Sequence, residues 1–176
     1  MKKVLIVIND LFEEMETLAP FDVLKRAGIN VDIAAKKECV VGAHGITLSN
    51  LKDYKTLNLE EYDMVILPGG PQYKENQKDS TYINIIKYFI ENKALACICA
   101  TPTILGDLGL LKNKTYTLFP PMNREFNGTF TSSPCEIYGN LITGRSAGSS
   151  LEFSYKILEY LLGNEKVNEI KASMYY

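Results

Sequence analysis

The chain has 176 residues, 46% of them hydrophobic and 23% charged, a size at which one domain buries about 70% of the surface its unfolded form exposes. A net charge of -2, with lysines and glutamates interspersed, leaves no basic stripe for nucleic acid, and no apolar stretch approaches the ~20 residues that cross a bilayer. The four cysteines have neither CxxC nor secreted-disulfide spacing and read as free thiols in a reducing, cytoplasmic setting.

The opening MKKVLIVIND places two lysines before an apolar run, but Val4 to Ile8 is too short for a signal-peptide core and ends in Asn9-Asp10. Lys3 to Ile8 therefore reads as a first strand. Helical spacing follows from Glu13 to Ala27, closed by Gly28, and Pro20 inside it predicts a kink or two short helices. Further strands are expected at Asn30 to Ala35, Met64 to Leu67, Ala94 to Ile98 and Asn140 to Thr143. Helices are expected at Ser80 to Asn92 with Ser80 as cap, at Pro102 to Leu108 with Thr101 as cap, and at Ser149 to Leu162. Lys112 to Asn140 reads as short β pieces and turns, and the ending NEIKASMYY fits a helix or a strand. Strand-length apolar runs alternating with amphipathic helices predict an α/β fold, one domain over 1–176, with a mostly parallel sheet covered on both faces.

In such a sheet ligands bind beyond the carboxyl ends of the strands. The residues there are Asp10, Glu13, Glu14 and Glu16 after the first strand, Pro68-Gly69-Gly70-Pro71 after the third, Cys99-Ala100 after the fourth, and Gly144-Arg145-Ser146 after the last. Cys97 and Cys99 would share a face if the strand ran through both. Thr101-Pro102 instead predicts a sharp strand-to-helix turn that lifts the Cys99 sulfur to a helix N-terminus, a nucleophile elbow. There the helix dipole would favour a thiolate by up to about 2 kcal/mol, lowering the thiol pKa by roughly 1.5 units. An inert core thiol is the alternative for Cys99, and core packing is the reading for Cys97. His44 is the only histidine; it serves either as a structural side chain or as a partner to Cys99, and one histidine without a cysteine cluster excludes a histidine-rich zinc site. Carboxylates in a first helical turn complement its dipole, which suits Glu13 and Glu14, whereas Glu16 lies toward the sheet. In a low-dielectric cleft beside a thiolate, Glu16 would have a raised pKa, could stay protonated and could shuttle protons.

The stretches EEMETLAPFDVLKRAGINV, VILPGG, ACICATPTILGDLGLL and TGRSAGSSLEFSYKILEYL, in this order, resemble the DJ-1/ThiJ/PfpI superfamily, most closely its DJ-1-like branch, over nearly the whole chain. The resemblance implies a flavodoxin-like three-layer sandwich, usually homodimeric, with the first helix near the interface. It implies Cys99 as reactive nucleophile, Glu16 as the carboxyl that hydrogen-bonds it, and Gly70 and Ala100 amides as an oxyanion pocket. It also places Arg145 at the pocket mouth and Gly69 and His44 in the substrate loops. Two departures bear on chemistry. Ala100 stands where protease-like and amidotransferase-like relatives carry a histidine, which argues against Cys-His peptidase chemistry, and Phe119 stands where DJ-1-like relatives commonly carry another. Thr101 replaces a glycine common at that position.

Two functional expectations follow from the resemblance. One is a cofactor-independent enzyme of deglycase or glyoxalase type, acting on a small carbonyl substrate or a glycated protein through Cys99 and Glu16. The other is an oxidative-stress sensor or protective chaperone whose Cys99 oxidises to a sulfinate. Neither requires a metal or an organic cofactor.

Overall fold

Met64–Leu67 and Ala94–Ile98 are apolar throughout because strands in the middle of a parallel sheet are covered on both faces. The computed structural model describes residues 1–176. In chain order the elements are β1 (Lys3–Val7), α1 (Glu14–Arg26), β2 (Asn30–Ala35), the two-residue strands β3 (Val40–Val41), β4 (Thr47–Leu48) and β5 (Lys52–Asp53), β6 (Met64–Leu67), α2 (Tyr73–Asn76), α3 (Ser80–Asn92), β7 (Ala94–Ile98), α4 (Pro102–Asp107), β8 (Thr115–Tyr116), β9 (Thr129–Phe130), β10 (Cys135–Tyr138), β11 (Leu141–Gly144), α5 (Ser150–Leu162) and α6 (Asn164–Ser173).

Seven strands form one sheet in the order β10-β11-β7-β6-β1-β2-β5. Every pairing in it is parallel except β10 with β11. One face packs Val4, Ile6 and Ile8 against Val23 and Leu24 of α1, Phe153, Ile157 and Leu158 of α5, and Val167 and Ile170 of α6. The other packs Leu5, Val65, Leu67 and Leu95 against Tyr82, Ile86 and Phe89 of α3 and Ile104 and Leu105 of α4. The result is the α/β three-layer, flavodoxin-like sandwich expected from the sequence.

The chain leaves β1 for β2 on one side and reaches β6 and β7 on the other, so β1 and β6, neighbours in the sheet, flank the point where strand order reverses. That crevice, at the carboxyl ends of the strands, is where the candidate residues meet.

Several local expectations need correction. Helix α1 runs without interruption through Pro20; the hydrogen bond that proline removes is outweighed by packing of the helix between β2 and α5. Its C-terminus does close on Gly28, at φ +79°, with Gly28 N–H donating to Lys25 O at 3.1 Å and Ile29 N–H to Leu24 O at 3.0 Å. Asp79, not Ser80, caps α3, its carboxylate accepting from Thr81 N–H at 3.0 Å. Thr101 has helical backbone angles and caps nothing; its hydroxyl donates to Pro68 O at 2.8 Å. Within the stretch of short β pieces Cys135 lies on β10, and of the two alternatives for the chain's end the helix, α6, is the one formed.

Candidate functional site

Strand β7 ends at Ile98, and Cys99 turns into the left-handed region at φ +63°. A side chain there is strained and needs its surroundings to hold it. Both of its main-chain groups are held: Cys99 N–H donates to Gly144 O at 3.0 Å, and Phe119 N–H donates to Cys99 O at 3.0 Å. Pro102 then opens α4. This is the expected elbow, and it separates the two cysteines: Cys97 is fully buried on the α3 and α4 face, while Cys99 packs on the opposite face beside α1 and α5.

Glu13 starts the other half of the site. Its carboxylate caps α1 by accepting from Glu16 N–H at 2.8 Å, which sets the helix so that Glu16 points at the elbow. Glu16 is completely buried. Its Oε2 accepts from Gly69 N–H at 2.7 Å, while Oε1 has no hydrogen-bond partner. A Cβ built on Gly69 would lie 2.8 Å from Glu16 Oε2 and 2.9 Å from the Cys99 Cβ, so only glycine lets these three groups converge.

Burial raises the Glu16 carboxyl from 4.5 to about 7; Gly69 N–H opposes this, the Glu13 charge adds to it, and the Cys99 thiol opposes it by hydrogen bonding. The Cys99 thiol is pushed well above its ordinary value by burial first and then by the Glu16 carboxylate, against which Ala100 N–H pulls only weakly. The sequence expectation of a depressed thiol is therefore reversed. Helix α4 has only six residues, too little dipole to offset a desolvated sulfur facing a carboxylate. The resting pair is therefore a protonated thiol facing a carboxyl, not a free thiolate.

The amides of Gly70 and Ala100 donate to no main-chain or side-chain oxygen. Gly70 takes φ +85°, and a Cβ there would lie 2.6 Å from Glu13 N. Gly69 differs from expectation, since its amide is engaged by Glu16 and is not free for a ligand. Arg145 follows the Gly144 carbonyl that holds Cys99, makes no ion pair, and donates from Nη1 to Ser132 O at 2.7 Å.

His44 is not among the groups that act on the Cys99 thiol. It sits in the β3–β4 turn, its ring 2.7 Å and its amide 2.6 Å from the two oxygens of Glu14. Burial tends to raise the Glu14 carboxyl, but the two bonds from His44 outweigh it and hold the group low; the imidazole is raised in turn. Glu13, Glu14 and His44 place ligand atoms within 4.8 Å of one another, yet the His44–Glu14 ion pair already accounts for that grouping. Sequence reasoning assigned Glu14 only to the helix dipole; the glycines flanking the turn, Gly42 and Gly45, were the available signal, because a Cβ on Gly42 would lie 2.4 Å from Glu14 Oε1. Gln72 was missed altogether, as no motif marks it.

Known proteins share this fold. Protein dj-1beta of Drosophila melanogaster is 32% identical over 98% of this chain and 96% of its own length. Its crystal structure superposes with a TM-score of 0.91 at 30% identity, covering 98% of this chain and 97% of that one. Oxidized Toxoplasma gondii DJ-1 gives a TM-score of 0.92 at 25% identity over 100% and 99% of the two chains. A Pyrococcus abyssi protein named a deglycase is 29% identical over 83% of this chain and 91% of its own. Residues 2–160 match the DJ-1/PfpI family, and with the DJ-1 relatives and the DJ-1 structures matched along nearly the whole chain, the chain belongs to that family, on its DJ-1-like branch.

Proposed function

We propose that this protein acts on small reactive carbonyls or their protein adducts, in the manner of a deglycase or glyoxalase, with Cys99 as nucleophile. The observation that carries the reading is the Cys99 elbow facing a fully buried Glu16, with the Gly70 amide unpartnered and the Ala100 amide bound to no oxygen and turned to the Cys99 sulfur. As the thiol proton passes to Glu16, sulfur bonds to the carbonyl carbon and the π electrons move to oxygen. The oxyanion of the hemithioacetal is received by the two amides. Glu16, at about 7, returns or relays the proton near neutral pH. Ala100, in place of a histidine, supports aldehyde chemistry over peptide cleavage, and the deglycase name of the Pyrococcus abyssi relative points the same way.

Methylglyoxal consumption tests this. Cys99→Ser and Glu16→Gln should each lower kcat by at least about 100-fold, and the parent rate should rise through a midpoint near 7 as Glu16 ionises. Undiminished turnover in either variant refutes the reading.

A second reading is a redox sensor. The protonated Glu16, with Oε1 unpartnered, is a ready donor to a sulfinate oxygen on Cys99, and the Toxoplasma gondii relative is known in an oxidized form. After mild peroxide, mass spectrometry should find Cys99 oxidised before Cys39, Cys97 and Cys135; uniform oxidation of all four counts against it. The further reading is that the chain works as a homodimer in a reducing compartment, supported by four unpaired cysteines and an apolar patch at the start of α1.

A further inference from the structure

Gln72 lies two residues beyond the glycine pair, is 2% exposed, and spends its whole side chain on main-chain groups. Its Oε1 accepts from Asn9 N–H at 2.7 Å. Its Nε2 donates to Pro68 O at 3.1 Å and to Gly69 O at 2.8 Å. These two carbonyls belong to the peptide units whose other ends are the working amides of the site. The Pro68–Gly69 peptide presents Gly69 N–H to Glu16, and the Gly69–Gly70 peptide presents the free Gly70 N–H.

A peptide unit is planar and trans, so its N–H points opposite its C=O, and gripping the carbonyl aims the amide. A hydrogen bond accepted at the carbonyl also polarises the unit and strengthens the N–H as a donor. We propose that Gln72 is the positioning residue of the site, one amide group that holds two successive peptide carbonyls and thereby aims the Gly69 N–H at Glu16 and the Gly70 N–H at the substrate oxygen. Two other donors share the grip: Thr101 Oγ on Pro68 O at 2.8 Å, and Glu13 N–H on Gly69 O at 3.3 Å. The bond to Asn9 ties the arrangement to the end of β1, so the glycine loop is braced against both strands that flank the switch point.

The role of Gly70 rests on the proposed carbonyl chemistry, whereas the aim of Gly69 at Glu16 does not, and the test keeps them apart. The Glu16 carboxyl is followed by carbon-13 NMR of the side chain across pH, with Glu13 and Cys99 as the titrating neighbours, alongside kcat and KM for methylglyoxal. In Gln72→Met the Glu16 midpoint should move up by about one unit, because Gly69 N–H no longer favours the carboxylate. In the same variant kcat should fall about tenfold or more with KM little changed, as expected for a donor used in the transition state. Gln72→Asn keeps the amide but withdraws it by one methylene; it should show the same shift, and it carries the test if Gln72→Met does not fold. A folded variant with the parent Glu16 midpoint overturns the proposal. If the midpoint shifts in a protein that consumes no methylglyoxal even as parent, positioning of Glu16 stands and the carbonyl reading falls.

Discussion

Glu16 is a carboxyl whose value in the fold, about 7, lies well above the 4.5 it has in an unfolded chain. Below 4.5 both states hold the proton and the group is neutral with respect to stability. As pH rises from 4.5 through about 7, the unfolded chain ionises first, and the folded state must then carry a charge with no partner at Oε1. Stability therefore falls across that window, by about 3 kcal/mol once the folded group has ionised. Glu16→Gln keeps the shape and the acceptor for Gly69 N–H and removes the charge. Its Tm should match the parent near pH 4.5 and exceed it increasingly toward pH 8; a constant difference across pH in thermal melts would show that Glu16 is not held in this way. Such a carboxyl reduces stability at neutral pH, and under the proposed chemistry that cost keeps a proton acceptor beside the sulfur. Cys97, two residues from Cys99 and fully buried, is raised by burial alone and faces no carboxyl. The left-handed turn at position 99 thus sends the two thiols to opposite faces of the sheet, one into the core and one toward Glu16.

At the scale of elements, the sequence made legible whatever depends on runs of residues. Strands β2, β6 and β7 and helix α3 have their expected boundaries because an apolar run between turn residues, or an apolar stripe at helical spacing, leaves little choice. What it did not show were contacts made by one polar side chain across space. Ser80 looked like the cap of α3, yet Asp79 caps it while the same carboxylate also binds the Tyr54 hydroxyl and Lys36. Thr101 looked like a cap as well, but the turn at Cys99 gives it helical angles and sends its hydroxyl to Pro68. The site follows the same division. Cys99, Glu16 and the glycine pair could be read from strand ends, whereas the depressed thiol could not survive, because desolvation depends on the depth of the crevice and on which carboxylate faces it. Glu14, His44 and Gln72 act across separations of 30 residues or more in the chain, as with His44 and Glu14 or Gln72 and Asn9; only the glycines beside His44 hint at the first contact, and no local pattern announces the second.

For the whole molecule, the exposed apolar side chains bear on how copies of the chain pair. Leu11, Met15, Val41 and Ile46 are all exposed. They lie together because Leu11 N–H donates to Val41 O at 2.7 Å, Ala43 N–H donates to Phe12 O at 2.9 Å, and Gly42 N–H binds Ile46 O at 2.8 Å. The β3–β4 turn is thus sewn onto the start of α1, and the His44–Glu14 ion pair reinforces the seam. A second apolar pair, Ile137 and Tyr138, is exposed on edge strand β10. A two-fold interface across α1 would bury the first group against its own copy and place Glu16 and its helix beside the partner, whereas pairing through β10 would leave α1 free. Symmetry counts each substitution twice, so Met15→Asp or Val41→Asp would set two carboxylates into the apolar interface and weaken it by about 1000-fold or more. Light scattering at tens of micromolar protein should give twice the chain mass for the parent and for Tyr138→Asp, and the single-chain mass for the other two, with circular dichroism unchanged because both positions are exposed. A parent of single-chain mass would refute the dimer, and a dimer lost in Tyr138→Asp and kept in Met15→Asp would move the contact off α1. Either result would also separate the setting of Glu16 from any partner, leaving the capping of α1 by Glu13 and the Gly69 amide as the interactions that hold it at the elbow.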